Sequence, residues 1–130
     1  MKIMIVDDCQ TTRKLLGIYL KSKGFEMVFA ENGLDALEKL ATNAVNMIIT
    51  DLNMPYMDGI ELVKSLRADP HWQDVPILMV TTEADPEERE RAFAAGTNRY
   101  LVKPVTADMV TQNIKEILKS LFEKGGASHA

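Results

Sequence analysis

The feature that most constrains this chain is an apolar run that recurs five times, each run followed by a segment with helical spacing. The runs cover residues 3–6, 25–30, 47–50, 75–80 and 100–102. Continuous apolar runs of this length are typical of strands that are buried on both faces of a sheet. The repetition predicts an α/β fold, a parallel sheet with helices on both faces, although the pattern alone leaves the strand order open.

The helices are predicted from apolar spacing and from end signals. Gly24 ends the first helix. Asp58 and Glu61 form a capping box at the start of the third, and Asp85-Pro86 opens the fourth in a similar way. The positions predicted to face inward are Leu16 and Leu20 in the first helix, Leu34, Leu37 and Ala41 in the second, Ile60, Val63 and Leu66 in the third, and Val110, Ile114, Ile117, Leu118 and Leu121 in the fifth. We expect one domain over residues 1–124 and a flexible C-terminal tail over 125–130.

Composition narrows the class of protein. A chain of 130 residues is the size of one domain, and its net charge of −4 argues against non-specific binding to nucleic acid. No apolar run approaches the roughly 20 residues of a membrane span, and the apolar N-terminal stretch is too short for a signal peptide. The single Cys9 cannot form an internal disulfide. We therefore expect a cytoplasmic protein, a monomer, that binds neither membranes nor nucleic acid.

Side chains that carry chemistry follow four of the five predicted strands. Asp7 and Asp8 follow the first strand, Asp51 the third, Thr81 the fourth and Lys103 the fifth. In a parallel sheet the carboxyl ends of the strands share one edge, where ligands bind. We therefore expect three carboxylates, a hydroxyl group and an ammonium group to meet at this edge.

This combination of groups suits phosphoryl transfer. In a cluster of carboxylates, either the pKa of one carboxyl group is raised or the cluster binds a cation. A site made only of oxygen ligands suits Mg²⁺. Such an ion could neutralise the charge on a transferred phosphoryl group, while Lys103 pairs with one of its oxygens and Thr81 donates to another. A carboxylate is also a competent phosphoryl acceptor. Asp51 stands alone at its strand end and is the predicted acceptor, whereas Asp7-Asp8 are better placed as metal holders.

Several motifs resemble the receiver-domain signature of two-component response regulators. They are Asp7-Asp8, then Asp51-Leu-Asn53-Met-Pro55-x-x-Asp58-Gly59, then Thr81, then Tyr100-Leu-Val-Lys103-Pro104. The resemblance covers residues 1 to about 124 and is greatest to stand-alone chemotaxis receivers, which Met79-Val80-Thr81-x-Glu83-Ala84 and Arg67-Ala68-Asp69 also resemble. It implies a flavodoxin-like (βα)5 fold with strand order 2-1-3-4-5.

The resemblance also implies roles for the site residues. Asp51 would be the phosphoacceptor, and Mg²⁺ would be bound by Asp8, Asp51 and the backbone carbonyl of Asn53, with Asp7 acting through a water molecule. Lys103 would contact the phosphoryl group, aimed by a cis peptide bond before Pro104.

Further roles concern the signal. Thr81 and Tyr100 would form the switch pair, and the side chains of Asn53 and Glu83 would set how long the phosphoryl group survives. A histidine kinase would donate the group from its phosphohistidine. The fourth helix, fifth strand and fifth helix would then present a changed surface to a downstream target protein. Beyond self-phosphorylation and self-dephosphorylation, no enzyme activity is implied.

Two departures from the chemotaxis receivers are visible. Leu52 follows the predicted acceptor where those relatives often carry Trp. Asn113 and Glu116 stand on the last helix where the best-known flagellar-motor binder carries lysines, which argues against motor binding while leaving the phosphorylation chemistry intact.

Other interpretations remain open at this stage. Asp7 and Asp8 could simply cap the first helix, and Tyr100 could be a packing residue. A flavodoxin-type redox carrier has the same architecture, but its phosphate loop would not carry acids. A phosphatase with an Asp-x-Asp pair would need an acid where Asn53 stands. A receiver-like binding module that is never phosphorylated is the third alternative.

Overall fold

The computed structural model shows strands and helices in strict alternation along the chain. It describes the backbone of residues 1–129 and the side chains of residues 1–123. The elements are β1 (Lys2–Val6), α1 (Gln10–Lys21), β2 (Glu26–Ala30), α2 (Gly33–Leu40), β3 (Met47–Thr50), α3 (Gly59–Ala68), β4 (Ile77–Thr81), α4 (Pro86–Ala95), β5 (Arg99–Val102) and α5 (Ala107–His129). The predicted flexible tail at 125–130 lies outside the residues described with their side chains, so it stays a prediction.

The strands form one parallel sheet in the order β2-β1-β3-β4-β5, which confirms the predicted fold. Hydrogen bonds continue the strand pairing one residue beyond the carboxyl ends. The Asp51 N–H donates to the Val6 carbonyl at 2.9 Å, and the Lys103 N–H donates to the Thr81 carbonyl at 2.7 Å. The polar residues at the strand ends are therefore held in register by the sheet itself.

Each face of the sheet has its own hydrophobic core. Side chains alternate along β1, so that Ile3 and Ile5 point to one face and Met4 and Val6 to the other. The first face is covered by α1 and α5, through residues such as Leu16, Leu20, Val110, Ile114 and Ile117. The second is covered by α2, α3 and α4. Helices on both faces explain why the central strands are apolar throughout.

The predicted inward face of α2 is right at Leu37, which is half-buried and packs against the core, but wrong at Leu34 and Ala41. Leu34 is 52% exposed and Ala41 is exposed, whereas Gly33, Ala36 and Leu40 are buried. The phase of the helix is set at its first residue, because the Gly33 N–H donates to the Met57 carbonyl at 3.2 Å and a Cβ atom on Gly33 would overlap the Met57 side chain. A short helix held this way at one end has no freedom to rotate Leu34 inward.

Leu121 was also predicted to face inward, and it is exposed. The 23 residues of α5 span about 34 Å, roughly twice the length of a five-residue strand, so its last turns extend past the sheet that its earlier turns cover. The fourth strand begins at Ile77 rather than at Val75. Pro76 has no N–H to donate, although its carbonyl accepts a hydrogen bond from the Ile48 N–H at 2.9 Å.

The predicted helix starts are largely confirmed. The Asp58 carboxylate accepts a hydrogen bond from the Glu61 N–H at 2.8 Å, and the Glu61 carboxylate accepts one from the Asp58 N–H at 3.2 Å. Asp85 caps α4 by accepting from the Glu87 N–H at 3.0 Å. Within the described part of the chain, none of the helices combines the length and apolarity that crossing a bilayer would require.

Candidate functional site

Three carboxylates meet at the carboxyl edge of the sheet, as the sequence predicted. Asp7 and Asp8 follow β1 and Asp51 follows β3, the neighbouring strand, so one oxygen from each lies within 4.8 Å of the others. Asp7 is 2% exposed and Asp51 is 9% exposed, while Asp8 faces solvent. The negative charges of these three carboxylates repel one another unless a cation lies between them.

One such cation comes from the protein. The Lys103 ammonium group lies 2.9 Å from an Asp7 carboxylate oxygen and 3.4 Å from an Asp51 carboxylate oxygen, and its side chain is 18% exposed. The peptide bond between Lys103 and Pro104 is cis, as expected. Burial by itself would lower the pKa of Lys103, but the hydrogen bond to Asp7 and the charge of Asp51 outweigh it and raise the pKa. The ammonium group therefore stays charged.

Asp7 uses its two oxygens differently. Its Oδ2 accepts from Lys103, and its Oδ1 accepts from the Cys9 N–H at 2.9 Å. Burial raises the pKa of Asp7, and the charge of Asp51 adds to the rise. The N-cap residue of α1 is Cys9, which makes no side-chain cap bond. The alternative in which Asp7 and Asp8 simply cap α1 is therefore wrong.

Asp51 is held by its own backbone surroundings. Its Oδ1 accepts from the Leu52 N–H at 2.6 Å, and its main-chain carbonyl accepts from the Thr50 hydroxyl at 2.9 Å. The start of α3 approaches so closely that a Cβ atom on Gly59 would overlap the Asp51 carbonyl oxygen. The carboxylate is thus fixed with one oxygen on a backbone donor and the other toward Lys103.

Thr81 and Tyr100, the predicted switch pair, are joined through Glu83. The Thr81 side chain is fully buried, and its hydroxyl oxygen accepts from the Glu83 N–H at 3.2 Å. Tyr100 is 7% exposed, and its hydroxyl donates to the Glu83 carbonyl at 2.7 Å. Tyr100 is therefore turned inward and belongs to the core beneath α4.

The side chains of the two predicted rate-setting residues, Asn53 and Glu83, take no part in this contact, which uses only the Glu83 backbone. Asn53 is exposed in the loop that follows Asp51. The Glu83 carboxylate accepts from the Asp85 N–H at 2.9 Å, so it braces the start of α4.

One residue near the site was missed from sequence. The Arg89 guanidinium lies 5.7 Å from the ring centre of Phe93 and 5.9 Å from that of Tyr100. The available signal was the spacing of Arg89 and Phe93, four residues apart on one helix, which puts the two side chains together.

The donor set fits a hard divalent cation. Oxygen ligands of this type select ions such as Mg²⁺, and three carboxylates with one lysine leave an excess of negative charge for it to neutralise.

Comparison with known proteins agrees with this fold. The family model of the response regulator receiver domain matches residues 3–115. The chain is 42% identical over 120 residues to the chemotaxis protein CheY1 of Helicobacter pylori, covering 91% of this chain and 97% of the relative. It is 40% identical over 129 residues to a chemotaxis protein CheY homolog of Campylobacter jejuni, covering 98% and 99%.

Solved structures show the same likeness. The chemotaxis response regulator CheY4 of Vibrio cholerae superposes with a TM-score of 0.84 at 34% identity, covering 89% of this chain and 97% of the other. A CheY-like receiver domain protein from Methanospirillum hungatei gives 0.87 at 27% identity, covering 95% and 97%. Sequence motifs, sheet order and carboxylate cluster all agree, and the chain belongs to the response regulator receiver domain family.

Proposed function

We propose that this chain is the phosphorylation-dependent switch of a chemotaxis-type two-component system, in which Asp51 accepts a phosphoryl group from the phosphohistidine of a histidine kinase. A receiver of this family is a signalling switch rather than an ordinary enzyme. The observation that carries the proposal is the setting of Asp51, with one carboxylate oxygen on the Leu52 N–H and the other 3.4 Å from the Lys103 ammonium.

The transfer needs little from the protein beyond position and charge. A carboxylate oxygen of Asp51 forms a bond to phosphorus while the phosphorus–nitrogen bond to the donor imidazole breaks, and the released imidazole takes up a proton from solvent. Lys103 is charged and points into the site, where its ammonium group would pair with a phosphoryl oxygen. Burial of Asp51 keeps these interactions strong, because water screens them less.

In this proposal Mg²⁺ is bound by Asp8, Asp51 and the Asn53 carbonyl, with Asp7 acting through a water molecule. When bound, the ion neutralises charge on the phosphoryl oxygens. The three carboxylates support this assignment because each contributes an oxygen within 4.8 Å of the others.

The switch would run through Glu83. A phosphoryl group on Asp51 offers a new acceptor for the Thr81 hydroxyl, which at present accepts from the Glu83 N–H. A shift of Thr81 would move the Glu83 segment, whose carbonyl holds the Tyr100 hydroxyl. The surface formed by α4, β5 and α5 would then change its affinity for a downstream protein, and that protein would in turn stabilise the phosphorylated form.

The phosphoryl group should be lost spontaneously, since Asp51 lies near a solvent-facing edge where water can attack in line. Asn53 is exposed beside it and would influence the approach of that water. A cytoplasmic location and a monomeric state complete the proposal. A flavodoxin-type carrier is disfavoured, because the loop after β1 presents the acids Asp7 and Asp8 where a bare phosphate would need N–H donors.

Labelling from acetyl phosphate tests the proposal. Intact-mass measurement should show one added phosphoryl group on wild type in the presence of Mg²⁺ and none after the metal is removed with a chelator. Asp51→Asn should abolish the label, because an amide cannot form an acyl phosphate. Asp58→Asn is the matched control, since Asp58 lies in the same loop and Asn also serves as an N-cap. Full labelling of Asp51→Asn would disprove the assignment, and no label on wild type would favour the unphosphorylated binding module.

A further inference from the structure

The loop between Asp51 and α3 carries an exposed aromatic residue in a strained backbone conformation. Tyr56 has a φ of 70°, and its side chain is 84% exposed. The Met57 N–H donates to the Pro55 carbonyl at 2.8 Å, which makes Tyr56 the central residue of a γ-turn with positive φ. Such turns are rare and strained, and a bulky side chain is seldom found in them.

The contacts of Tyr56 within residues 1–123 do not offset this strain. Its ring is almost fully in solvent, so it gains little from burial. Gly or Asn would adopt the same backbone conformation at lower cost. Burial of such an exposed aromatic ring against another molecule would contribute favourable free energy, which would offset the cost of the strained backbone.

The position of Tyr56 indicates which molecule that is. The loop closes on itself beside the acceptor, because the Gly59 N–H donates to the Leu52 carbonyl at 2.7 Å. Its other side is held by the Gly33 N–H, which donates to the Met57 carbonyl at 3.2 Å. Tyr56 therefore stands on the rim of the Asp51 site.

The surface beside it is apolar. Leu34, the residue after Gly33, is 52% exposed, and Met57 is half-buried. We call Leu34, Tyr56 and Met57 the donor rim.

We propose that the donor rim, with Tyr56 as its anchor, contacts the protein that carries the phosphohistidine. This inference rests on the proposed function and names a specificity residue for it. An imidazole that delivers its phosphoryl group to Asp51 must reach bonding distance, so its carrier protein has to cover the loops around the acceptor. An aromatic side chain on a rigid loop buries a large area at a small entropy cost, which is typical of interface anchors. A small phosphodonor enters the same site without burying the rim.

The test compares two donors for each variant. The rate of labelling is measured once with a phosphorylated histidine domain of a chemotaxis kinase and once with phosphoramidate. The readout is the rate with the histidine domain divided by the rate with phosphoramidate. Tyr56→Asn removes the ring and tolerates the backbone, and Tyr56→Phe keeps the ring. Phe122→Asn is the matched control, because Phe122 is 82% exposed near the far end of α5. Thermal unfolding checks that each variant is folded.

Tyr56→Asn should lower the ratio about tenfold, the effect of truncating a modest interface anchor. Tyr56→Phe and Phe122→Asn should leave it within about twofold, a difference too small to signify a lost anchor. An unchanged ratio in Tyr56→Asn, an equal loss in Phe122→Asn, or a wild-type rate no higher with the protein donor would each overturn the inference. Absence of labelling from both donors would overturn the proposed function, and this contact with it.

Discussion

The Tyr100 hydroxyl donates a hydrogen bond to the main-chain carbonyl of Glu83 at 2.7 Å, which ties β5 to the segment that follows β4. The N–H of the same Glu83 donates to the Thr81 hydroxyl at 3.2 Å. Arg89 lies over the Tyr100 ring from α4. The segment after β4 thus contacts both members of the proposed switch pair, so it offers a short covalent and hydrogen-bonded route from the proposed phosphorylation site to the proposed output surface.

Tyr100→Phe removes this hydrogen bond and keeps the ring. The Glu83 carbonyl then loses its donor in a half-buried place, so we expect the free energy of unfolding to fall by about 1 kcal/mol. Urea denaturation measures the loss. Tyr19→Phe is the matched control, because Tyr19 is a tyrosine on α1 that is likewise partly buried against a hydrophobic core. A loss no larger in Tyr100→Phe than in Tyr19→Phe would show that the hydroxyl contact contributes nothing.

The coupling itself can be followed with a phosphoryl mimic. Beryllofluoride and Mg²⁺ should shift the amide resonances of Thr81, Glu83 and Tyr100, and also those on the exposed side of α5 around Asn113. The control is Asp51→Asn, in which the mimic should produce none of these shifts. If the shifts stay within the site and do not reach Tyr100, the output must use another face.

Asp7→Asn should stabilise the metal-free protein at neutral pH. Burial raises the pKa of Asp7 above 3.8, so the folded state holds its proton more tightly than the unfolded chain. The stability from this proton is present below pH 3.8 and is lost as pH rises through the raised pKa. Asparagine stays neutral, so its advantage over wild type in the free energy of unfolding should grow across that window, by about 1.4 kcal/mol for each unit by which the pKa is raised.

Urea denaturation of both proteins between pH 3 and pH 8, in chelator, measures this difference. Adding Mg²⁺ should then stabilise wild type more than Asp7→Asn. A difference that is the same at every pH would contradict the assignment of Asp7 as a buried carboxylate with a raised pKa.

Gly59→Ala should be severely destabilising. The added Cβ would overlap the Asp51 carbonyl oxygen and lie 2.9 Å from the Leu52 Cα, and neither backbone atom can move without displacing the acceptor. We expect a loss of about 2 kcal/mol or more, together with slower phosphorylation. Gly17→Ala is the control: its Cβ would lie 2.9 Å from the tip of the Phe29 ring, which is part-exposed and can turn aside. Equal losses in the two variants would contradict the argument.

Arg67→Lys tests a connection between α3 and the end of α4. The Arg67 guanidinium donates to the Gly96 carbonyl at 2.8 and 3.1 Å and to the Gln73 carbonyl at 3.0 Å. A lysine cannot reach both acceptors, so we expect a loss of about 2 kcal/mol in the free energy of unfolding. Arg91→Lys, which alters only an exposed pair with Glu88, should leave the denaturation midpoint unchanged. Equal midpoints for the two variants would contradict this role.

Much of the fold follows from local sequence. Apolar runs predicted each strand because a buried parallel strand has to be apolar on both faces, and the capping box at Asp58 predicted the start of α3 because its hydrogen bonds join residues three apart. The face of α2 could not be predicted in this way. Leu34 has the apolar character of a core residue, but the contact of Gly33 with Met57, distant in sequence, turns it outward.

The candidate site, like the fold, was predictable from the sequence only in part. The sequence by itself determined which residues stand at the strand ends, since each follows its own apolar run. Only the tertiary structure decided that Asp7 binds Lys103, 96 residues away, rather than capping α1. It also decided that Tyr100 on β5 reaches Glu83, which follows the neighbouring strand β4. Residues this far apart are brought together by the order and register of the strands, and those depend on the packing of the whole sheet.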